Sequence, residues 1–359
     1  MLAEQAIEFN VETVAVASDS VAEQLHQEIQ QVAQRLGVKK LPFISSGADA
    51  ASELASQACD VVLNGITGSA GLMPTVNALK AGTRLALANK ESLVIGGRAV
   101  TSFAQEGQIV PVDSEHSALA QCLRSGRSSE VRKLILTASG GPFRNATEDD
   151  LREVSPQQAL NHPTWSMGPV VTINSSTMFN KGLEIIEAHL LFGISFDRIE
   201  VVVHPQSLVH SMVEFVDGST IAQVSPPDMH LPIALGMGWP DRVANSTSPV
   251  DWSTASTWTF EPVNHELFPA VQLAKEVGEL AGTAPAVMNA ANEVAVEAFL
   301  NEQIRYLDII PVVHHVVTAH RSSGYVSDDQ LTIEAVIAGD NEGRALATEY
   351  IQQGFTQGG

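Results

Sequence analysis

The sequence predicts an α/β protein with more than one domain, and three observations lead to that prediction. Its 359 residues are too many for one ordinary hydrophobic core. In the first third, short apolar runs alternate with helix-like stretches, which is typical of a parallel sheet covered by helices. The last quarter instead has helical periodicity with few strand signals.

The N-terminal region, residues 1–112, is interpreted as a Rossmann-like domain. Its apolar runs lie at residues 14–17, 61–63, 85–88 and 109–112. A segment with glycines at 65, 68 and 71 follows the second run. Its spacing is GxxGxxG, whereas the dinucleotide-binding fingerprint is GxGxxG. We therefore do not assign that function to it.

The remaining chain divides into three predicted parts. Residues 113–240 combine strand-like runs with one long helix, from about Ser176 to Phe192, and predict an α+β domain. Residues 241–264 are polar and turn-rich, as expected for a linker. Residues 265–359 predict a small helical domain, with few strand signals before the one at 331–333. The central strand-like runs are 134–137, 199–203 and 211–215.

Charge and composition exclude several classes of partner. The chain has 41 acidic and 20 basic residues and a net charge of −21, which would repel nucleic acid. A small anionic substrate would need local lysines, helix N-termini or a metal ion. With no apolar run of eighteen residues we expect no membrane span. Two cysteines, and an acid at position 4 where a signal peptide would be basic, predict a cytoplasmic protein without disulfides.

Two carboxylates, Asp113 and Glu115, follow the fourth apolar run. Open α/β sheets bind ligands at the ends of such strands. Residues i and i+2 of an extended segment face one side, so the pair could hold a hard divalent cation. The alternative is structural: Asp113 or Ser114 would cap a following helix.

A second polar segment, residues 174–184, is interpreted as a capped helix start. Asn180 and Glu184 are four residues apart and share a helix face, with Lys181 beside them. Serine hydroxyls and free N–H groups at such an end suit a phosphate, and Glu184 could reach a metal. A surface pair between Lys181 and Glu184 is the alternative.

Several loops carry further candidates. Ser139 precedes paired glycines after a strand, where backbone N–H groups could approach an anion or form an ordinary turn. Residues 161–168 hold an imidazole, an indole and a thioether, which suits a lid but also a loop packed on the core. Lys90 ends another strand, and His204 and His210 follow one; each histidine is a base, a ligand or a structural residue.

The order of these motifs resembles the 1-deoxy-D-xylulose 5-phosphate reductoisomerase family. The motifs that carry the resemblance are ANKESL at 88–93, PVDSEH at 111–116, ASGGPF at 138–143, HPTWSMG at 162–168, NKGLE at 180–184, HPQS at 204–207 and NAANE at 289–293. The resemblance implies conversion of 1-deoxy-D-xylulose 5-phosphate to 2-C-methyl-D-erythritol 4-phosphate, in the non-mevalonate pathway of isoprenoid synthesis. It also implies NADPH, Mg²⁺, Mn²⁺ or Co²⁺, a homodimer, and inhibition by fosmidomycin-type phosphonates.

The resemblance also implies residue roles. The metal ligands would be Asp113, Glu115 and Glu184. The substrate would contact Lys90, Ser114, Glu115, Ser139, His162, Trp165, Ser175, Asn180, Lys181 and Glu184. The nucleotide would contact Asn89, Glu91 and Gly168. Catalytic roles would fall to Lys90, Asp113, Glu115, Glu184, His162 and His210, with Met167 covering the site and His116 as a further participant.

Family members begin with a strand and a glycine-rich turn of the GSTGSIG kind, and this sequence has no equivalent turn. The resemblance therefore implies a nucleotide-binding domain that lacks its first strand and pyrophosphate cradle. Two interpretations follow. The native protein starts earlier and is a complete enzyme, or the chain is a short form that binds metal and phosphosugar but uses NADPH poorly.

Overall fold

The computed structural model describes residues 1–165 and 167–354, so Ser166 of the predicted lid and residues 355–359 lie outside it. The predicted α/β fold class is confirmed. The strands are β1 (Thr13–Val16), β2 (Phe43–Ser46), β3 (Val61–Asn64), β4 (Arg84–Leu87), β5 (Ile109–Pro111), β6 (Val131–Ala138), β7 (Ile199–Val203), β8 (Val209–Phe215), β9 (Thr220–Val224) and β10 (Glu261–Pro262).

The helices are distributed along the whole chain, and within the described ranges none is long and apolar enough to cross a membrane. They are α1 (Leu2–Glu8), α2 (Asp19–Leu36), α3 (Ala50–Ala55), α4 (Leu72–Lys80), α5 (Lys90–Thr101), α6 (Ser114–Leu123), α7 (Glu148–Arg152), α8 (Pro156–Ala159), α9 (Pro169–Ser176), α10 (Phe179–Phe192), α11 (His230–Gly238), α12 (Ala270–Leu280), α13 (Ala284–Leu300), α14 (Ile309–Ser323) and α15 (Ile333–Gln352).

The N-terminal region contains two separate parallel sheets. One pairs β1 with β2, and the other has the order β3-β4-β5. The four predicted apolar runs correspond to β1, β3, β4 and β5. The sequence analysis did not identify β2, whose Phe-Ile-Ser-Ser sequence has only two apolar residues and is largely exposed.

The central sheet has five strands in the order β10-β7-β6-β8-β9. Its β6–β7 pair is parallel, and the other pairs are antiparallel. The three strand-like runs of the sequence are β6, β7 and β8. The segment predicted as a linker supplies β10, in which Glu261 pairs with Val203. That segment is therefore packed on the sheet over its last residues.

The long helix predicted from about Ser176 to Phe192 is α10, which begins three residues later, at Phe179. The capped start predicted within 174–184 is wrong, because the N-cap is Met178, with a φ of 63° and no side-chain capping hydrogen bond, and the polar residues before it belong to α9. Methionine does not signal a left-handed backbone, so the sequence could not locate this break. Asn174 and Ser175 consequently lie at the end of α9, and α10 begins at Phe179.

The strand predicted at 331–333 is also wrong. Thr332 is instead the N-cap of α15, and its side chain accepts a hydrogen bond of 3.1 Å from the N–H of Ala335. A three-residue Leu-Thr-Ile run satisfies either periodicity, and threonine is a good N-cap residue. The N-cap at Thr332 therefore makes this segment the start of a helix and not a strand.

The largest hydrophobic cluster extends from the central sheet into the C-terminal helices. It includes Leu134 of β6, Leu183 of α10, Val271 of α12, Met288 of α13 and Val313 of α14, all essentially inaccessible to solvent. The C-terminal helices therefore support the back of α10, the helix that carries the second polar segment.

Close packing of α15 on α13 depends on Gly343. A Cβ atom at this position would lie 2.9 Å from the backbone oxygen of Val287. We expect Gly343→Val to lower the free energy of unfolding by about 1–3 kcal/mol, because overpacking must separate the two helices. Urea unfolding measures this. Ala345→Val, at an exposed position of the same helix, is the matched control, and equal destabilisation by both variants would contradict the prediction.

Candidate active site

Parallel strand order brings Lys90 and Asp113 together. β4 and β5 are neighbours, β4 leads into α5 at Lys90, and β5 leads through Asp113 into α6. The carboxyl ends of adjacent parallel strands lie at one sheet edge, so the two side chains meet there. The Lys90 ammonium forms an ion pair with Asp113 Oδ2, and both side chains are nearly buried.

The first turns of α10 supply the facing wall. Glu184 is inaccessible to solvent, and its Oε1 lies 3.2 Å from Lys90 Nζ and 2.5 Å from Asn180 Nδ2. Lys181 Nζ donates to Glu115 Oε1 at 2.8 Å and also contacts Glu184 Oε2. The Lys181–Glu184 pair is therefore buried between the helices, and its interpretation as a surface pair is excluded.

The structure brings the three predicted metal ligands together. One carboxylate oxygen each of Asp113, Glu115 and Glu184 lies within 4.8 Å of the other two. Oxygen donors of this kind suit a hard divalent cation. The geometric argument for Asp113 and Glu115 was wrong, however. Glu115 lies in the first turn of α6 and not in an extended segment.

The capping alternative for Asp113 is confirmed for the position of the residue but not for its side chain. Asp113 occupies the N-cap position of α6, as that alternative required, but its side chain makes no capping hydrogen bond. The carboxylate turns instead toward Lys90. The helix begins where predicted, and the side chain remains directed into the site.

Burial and mutual repulsion perturb the acids of this cluster. Burial, with the neighbouring Glu115 carboxylate, raises the pKa of Glu184 to about 7, although Lys181 and Lys90 oppose the shift. Burial would also raise the pKa of Glu115, but Lys181 and Lys90 outweigh it and hold that pKa below its usual range. Burial would lower the pKa of Lys90, yet the surrounding carboxylates, Asp113 first, hold it well above its usual range.

These groups line a cavity of about 280 Å³. Ten of the residues singled out from the sequence reach it, together with Met167 and His210: Lys90, Asp113, Ser114, Glu115, Ser139, Trp165, Ser175, Asn180, Lys181 and Glu184. Ser114 donates to Glu115 Oε2 at 2.5 Å. The cavity thus has an acidic end, formed by Asp113, Glu115 and Glu184, and a hydroxyl-bearing wall, formed by Ser139 and Ser175.

The hydroxyl-bearing wall is organised by His162. Its Nδ1 accepts hydrogen bonds from the N–H groups of Thr164 and Trp165, at 3.1 and 2.9 Å. Nε2 therefore carries the proton and donates to Ser139 Oγ at 3.0 Å. Since Ser139 Oγ also accepts from the N–H of Gly141, its own hydroxyl proton can be directed into the cavity. Burial lowers the pKa of His162 and favours this neutral form.

The other two candidate histidines differ in role. His210 lines the cavity, where its Nε2 lies 3.1 Å from the Ser225 carbonyl and its ring packs edge-on against Trp165. His204 is structural. Its Nδ1 contacts the Thr259 carbonyl at 2.8 Å, its Nε2 accepts from the N–H of Leu208, and its ring stacks on Phe260.

The predicted nucleotide contacts lie beside this cavity. Asn89 caps α5 by accepting from the N–H of Ser92, and its amide donates to Glu91 Oε2 at 2.8 Å and to the Gly68 carbonyl at 3.0 Å. Gly168 is the N-cap of α9. The glycine segment at 65–71 thus forms a turn, Gly68–Gly71, that Asn89 holds against the start of α5.

Sequence reasoning did not identify Glu187. This carboxylate is inaccessible to solvent, and its Oε2 lies 3.1 Å from His116 Nδ1. The available signal was the Glu184-x-x-Glu187 spacing, which places both acids on one face of α10. Burial raises the pKa of Glu187 to about 7, partly offset by His116.

Three family models match the sequence. One described as 1-deoxy-D-xylulose 5-phosphate reductoisomerase matches residues 1–97, one described as the C-terminal domain of that enzyme matches 109–192, and a DXP reductoisomerase C-terminal domain matches 224–346.

Curated relatives with that name cover nearly the whole chain. The protein from Kitasatospora griseola is 58% identical over 349 residues, which are 97% of this chain and 89% of the relative. The protein from Cutibacterium acnes is 55% identical over 363 residues, 99% of this chain and 89% of the relative.

Solved structures give the same result. A DOX-P reductoisomerase in complex with NADPH, fosmidomycin and magnesium has a TM-score of 0.90 at 37% identity, covering 100% of this chain and 90% of that one. The Zymomonas mobilis reductoisomerase in complex with NADPH has a TM-score of 0.87 at 38% identity, covering 98% and 88%.

The raised pKa of Glu184 predicts a pH-dependent stability. In the folded chain the carboxyl loses its proton near pH 7, and in the unfolded chain near its ordinary value of 4.5. The folded state therefore loses stability as the pH rises between these values. In a chelating buffer we expect Glu184→Gln to match the parent in melting temperature at pH 4, below both pKa values, and to exceed it by a few degrees at pH 8. Glu349→Gln, on the surface, is the control, and a pH-independent difference would contradict this expectation.

Proposed function

Because this chain belongs to the 1-deoxy-D-xylulose 5-phosphate reductoisomerase family, we propose that it converts 1-deoxy-D-xylulose 5-phosphate to 2-C-methyl-D-erythritol 4-phosphate. NADPH and a divalent metal ion are its cofactors. One observation carries the proposal: three carboxylates from two helices and two buried lysines meet in one cavity with the hydroxyl-bearing wall. Solved relatives hold NADPH, magnesium and fosmidomycin.

Asp113, Glu115 and Glu184 would hold the metal ion. Their oxygens suit Mg²⁺ and Mn²⁺, and the same carboxylates accept Co²⁺. When bound, the metal supplies Lewis acidity at the substrate oxygens and NADPH supplies the hydride. In the structure, the charges of the three carboxylates are balanced by Lys90 and Lys181. A bound cation would take over that role and would allow Lys181 to turn from Glu115 toward an anion.

The phosphate would lie at the hydroxyl-bearing wall. Ser139 and Ser175 present hydroxyls to the cavity, while Asn180 and Lys181 approach it from the first turn of α10. The N-terminus of a helix carries a partial positive charge, which favours an anion. Local donors and Lys181 therefore overcome the repulsion expected from the net charge of −21.

The reacting end of the substrate would lie between Lys90 and Ser114. Lys90 Nζ is a permanent donor at working pH, because the carboxylates around it hold its pKa high. It is oriented by Asn180 Oδ1 at 3.0 Å. Lys90 would thus donate to the hydroxyl or carbonyl oxygen of the sugar and stabilise charge that develops there.

The loop after α8 would close over the bound substrate. Trp165 and Met167 line the cavity from this loop, and His162 connects it to Ser139. Closure would exclude water from the reactive fragments. Asn89, Glu91 and Gly168 are next in sequence to the cavity-lining residues Ala88, Lys90 and Met167 and would contact the nicotinamide nucleotide, with His210 positioning Trp165.

We also infer a cytoplasmic homodimer. Both cysteines are free, as in a reducing compartment. β9 is an edge strand of the central sheet and exposes Ile221, and Val216 beside it is 63% exposed. An exposed edge strand with apolar side chains is suited to pairing with a second copy.

The metal site is tested by NADPH consumption with 1-deoxy-D-xylulose 5-phosphate and Mn²⁺. We expect Asp113→Asn to lower kcat on the order of 10³-fold, because Lewis acidity contributes several kcal/mol to the transition state. Asp149→Asn, an exposed acid remote from the cavity, should retain full activity. Turnover that survives in Asp113→Asn would contradict the assignment. A folded parent chain that binds fosmidomycin with Mn²⁺ but does not consume NADPH would contradict the reductase activity.

The dimer is tested by light scattering. The parent chain should have twice the chain mass of 38.2 kDa, and Ile221→Asp should shift it toward the monomer, because a charge at the edge strand opposes pairing. Glu297→Gln on α13 is the control. A monomeric parent would contradict the proposal.

A further inference from the structure

A buried His116–Glu187 pair lies directly behind the proposed metal ligands. Both side chains are inaccessible to solvent, and His116 Nδ1 lies 3.1 Å from Glu187 Oε2. Among the described residues, His116 Nδ1 and the two Glu187 oxygens form no hydrogen bond of good geometry, and their close contact is the ion pair between them. Buried polar groups without partners are costly, so this contact is the one that compensates both groups.

The proton arrangement follows from the other side of the imidazole. His116 Nε2 lies 2.8 Å from the backbone carbonyl of Glu184, which can only accept, so Nε2 carries a proton. On its other side, Nδ1 lies 3.1 Å from Glu187 Oε2, so a close polar contact joins the two residues.

The pair connects the two helices that supply the carboxylates. His116 is on α6, which carries Glu115 and begins after Asp113, whereas Glu184 and Glu187 are on α10. His116 Nδ1 is also only 3.8 Å from Asp113 Oδ2. The imidazole therefore spans from the Asp113 side of the site to the backbone at Glu184.

We propose that Glu187 is a positioning residue that fixes the His116 imidazole and thereby holds Asp113 and Glu115 at binding distance from Glu184. The inference rests on the proposed metal site. Glu187 acts through His116 and does not contact the metal. The alternative, in which Asp113, His116 and Glu187 bind a second cation, predicts two ions per chain.

The test is Mn²⁺ binding by titration calorimetry, with no substrate present. Glu187→Met keeps the length of the side chain but cannot hydrogen-bond, and we expect it to weaken Mn²⁺ binding roughly 10–100-fold, as loss of a residue that supports metal ligands does. Glu187→Gln can donate to His116 Nδ1 and should stay within about threefold of the parent. All should bind one ion per chain.

Two further variants separate positioning from general destabilisation. Ile186→Ala removes a buried side chain from the same helix and should lower the melting temperature without changing Mn²⁺ affinity. His116→Ala combined with Glu187→Met should bind no more weakly than His116→Ala alone, because the two residues act in series.

The outcomes distinguish this inference from the proposed function. Parent-like binding by Glu187→Met, or equal weakening by Ile186→Ala, overturns the positioning role while the metal site stands. Two ions per chain in the parent overturns it in favour of the second-cation alternative. No Mn²⁺ binding by the parent overturns both.

Discussion

Compensation of buried charge is the constraint on which the site depends. Asp113, Glu115, Glu184 and Glu187 lie largely out of water between α6 and α10, and Lys90, Lys181 and His116 lie among them. An uncompensated buried charge would cost several kcal/mol, and even paired charges return little net stability. Such a cluster therefore costs the fold stability, and it is explained by the chemistry that the cavity performs.

Three parts of the fold hold this cluster of charged residues in place. The ends of β4 and β5 place Lys90 and Asp113, and α10 presents Glu184. The C-terminal helices hold the opposite wall, because Asn292 of α13 donates at 2.9 Å to Asn174, the residue before Ser175. On the same helix, Glu293 forms an ion pair with Arg344, which also reaches Ser69 beside the Gly68 turn. The helical region thus connects the Ser175 side of the cavity with the Gly68 turn.

The loop that bears His162 also carries Trp165 and Met167, which line one side of the cavity. Its imidazole is held in one tautomer by two backbone N–H groups and reaches Ser139 through the other nitrogen. The Trp165 ring of the same loop packs edge-on against His210. A phosphate bound at Ser139, as proposed, would therefore stabilise the loop in this position.

The sequence by itself determined the fold class, the strand ends that carry polar residues and the three carboxylates proposed as metal ligands. These features are encoded locally, in short-range periodicity and motif order. Only the tertiary structure decided how the groups meet. Glu115 reaches the triad from a helix and not from an extended strand, Met178 separates α9 from α10 through a left-handed backbone, and Lys181 is buried.

The Glu187–His116 pair shows why the other contacts of the site could not be predicted from the sequence. The two residues are 71 positions apart, and each in isolation has the spacing of an ordinary helical side chain. Their pairing depends on the angle and depth at which α6 packs on α10, which core packing sets across the whole molecule. Local patterns therefore determine which residues are present at the site, and long-range packing determines which of them touch.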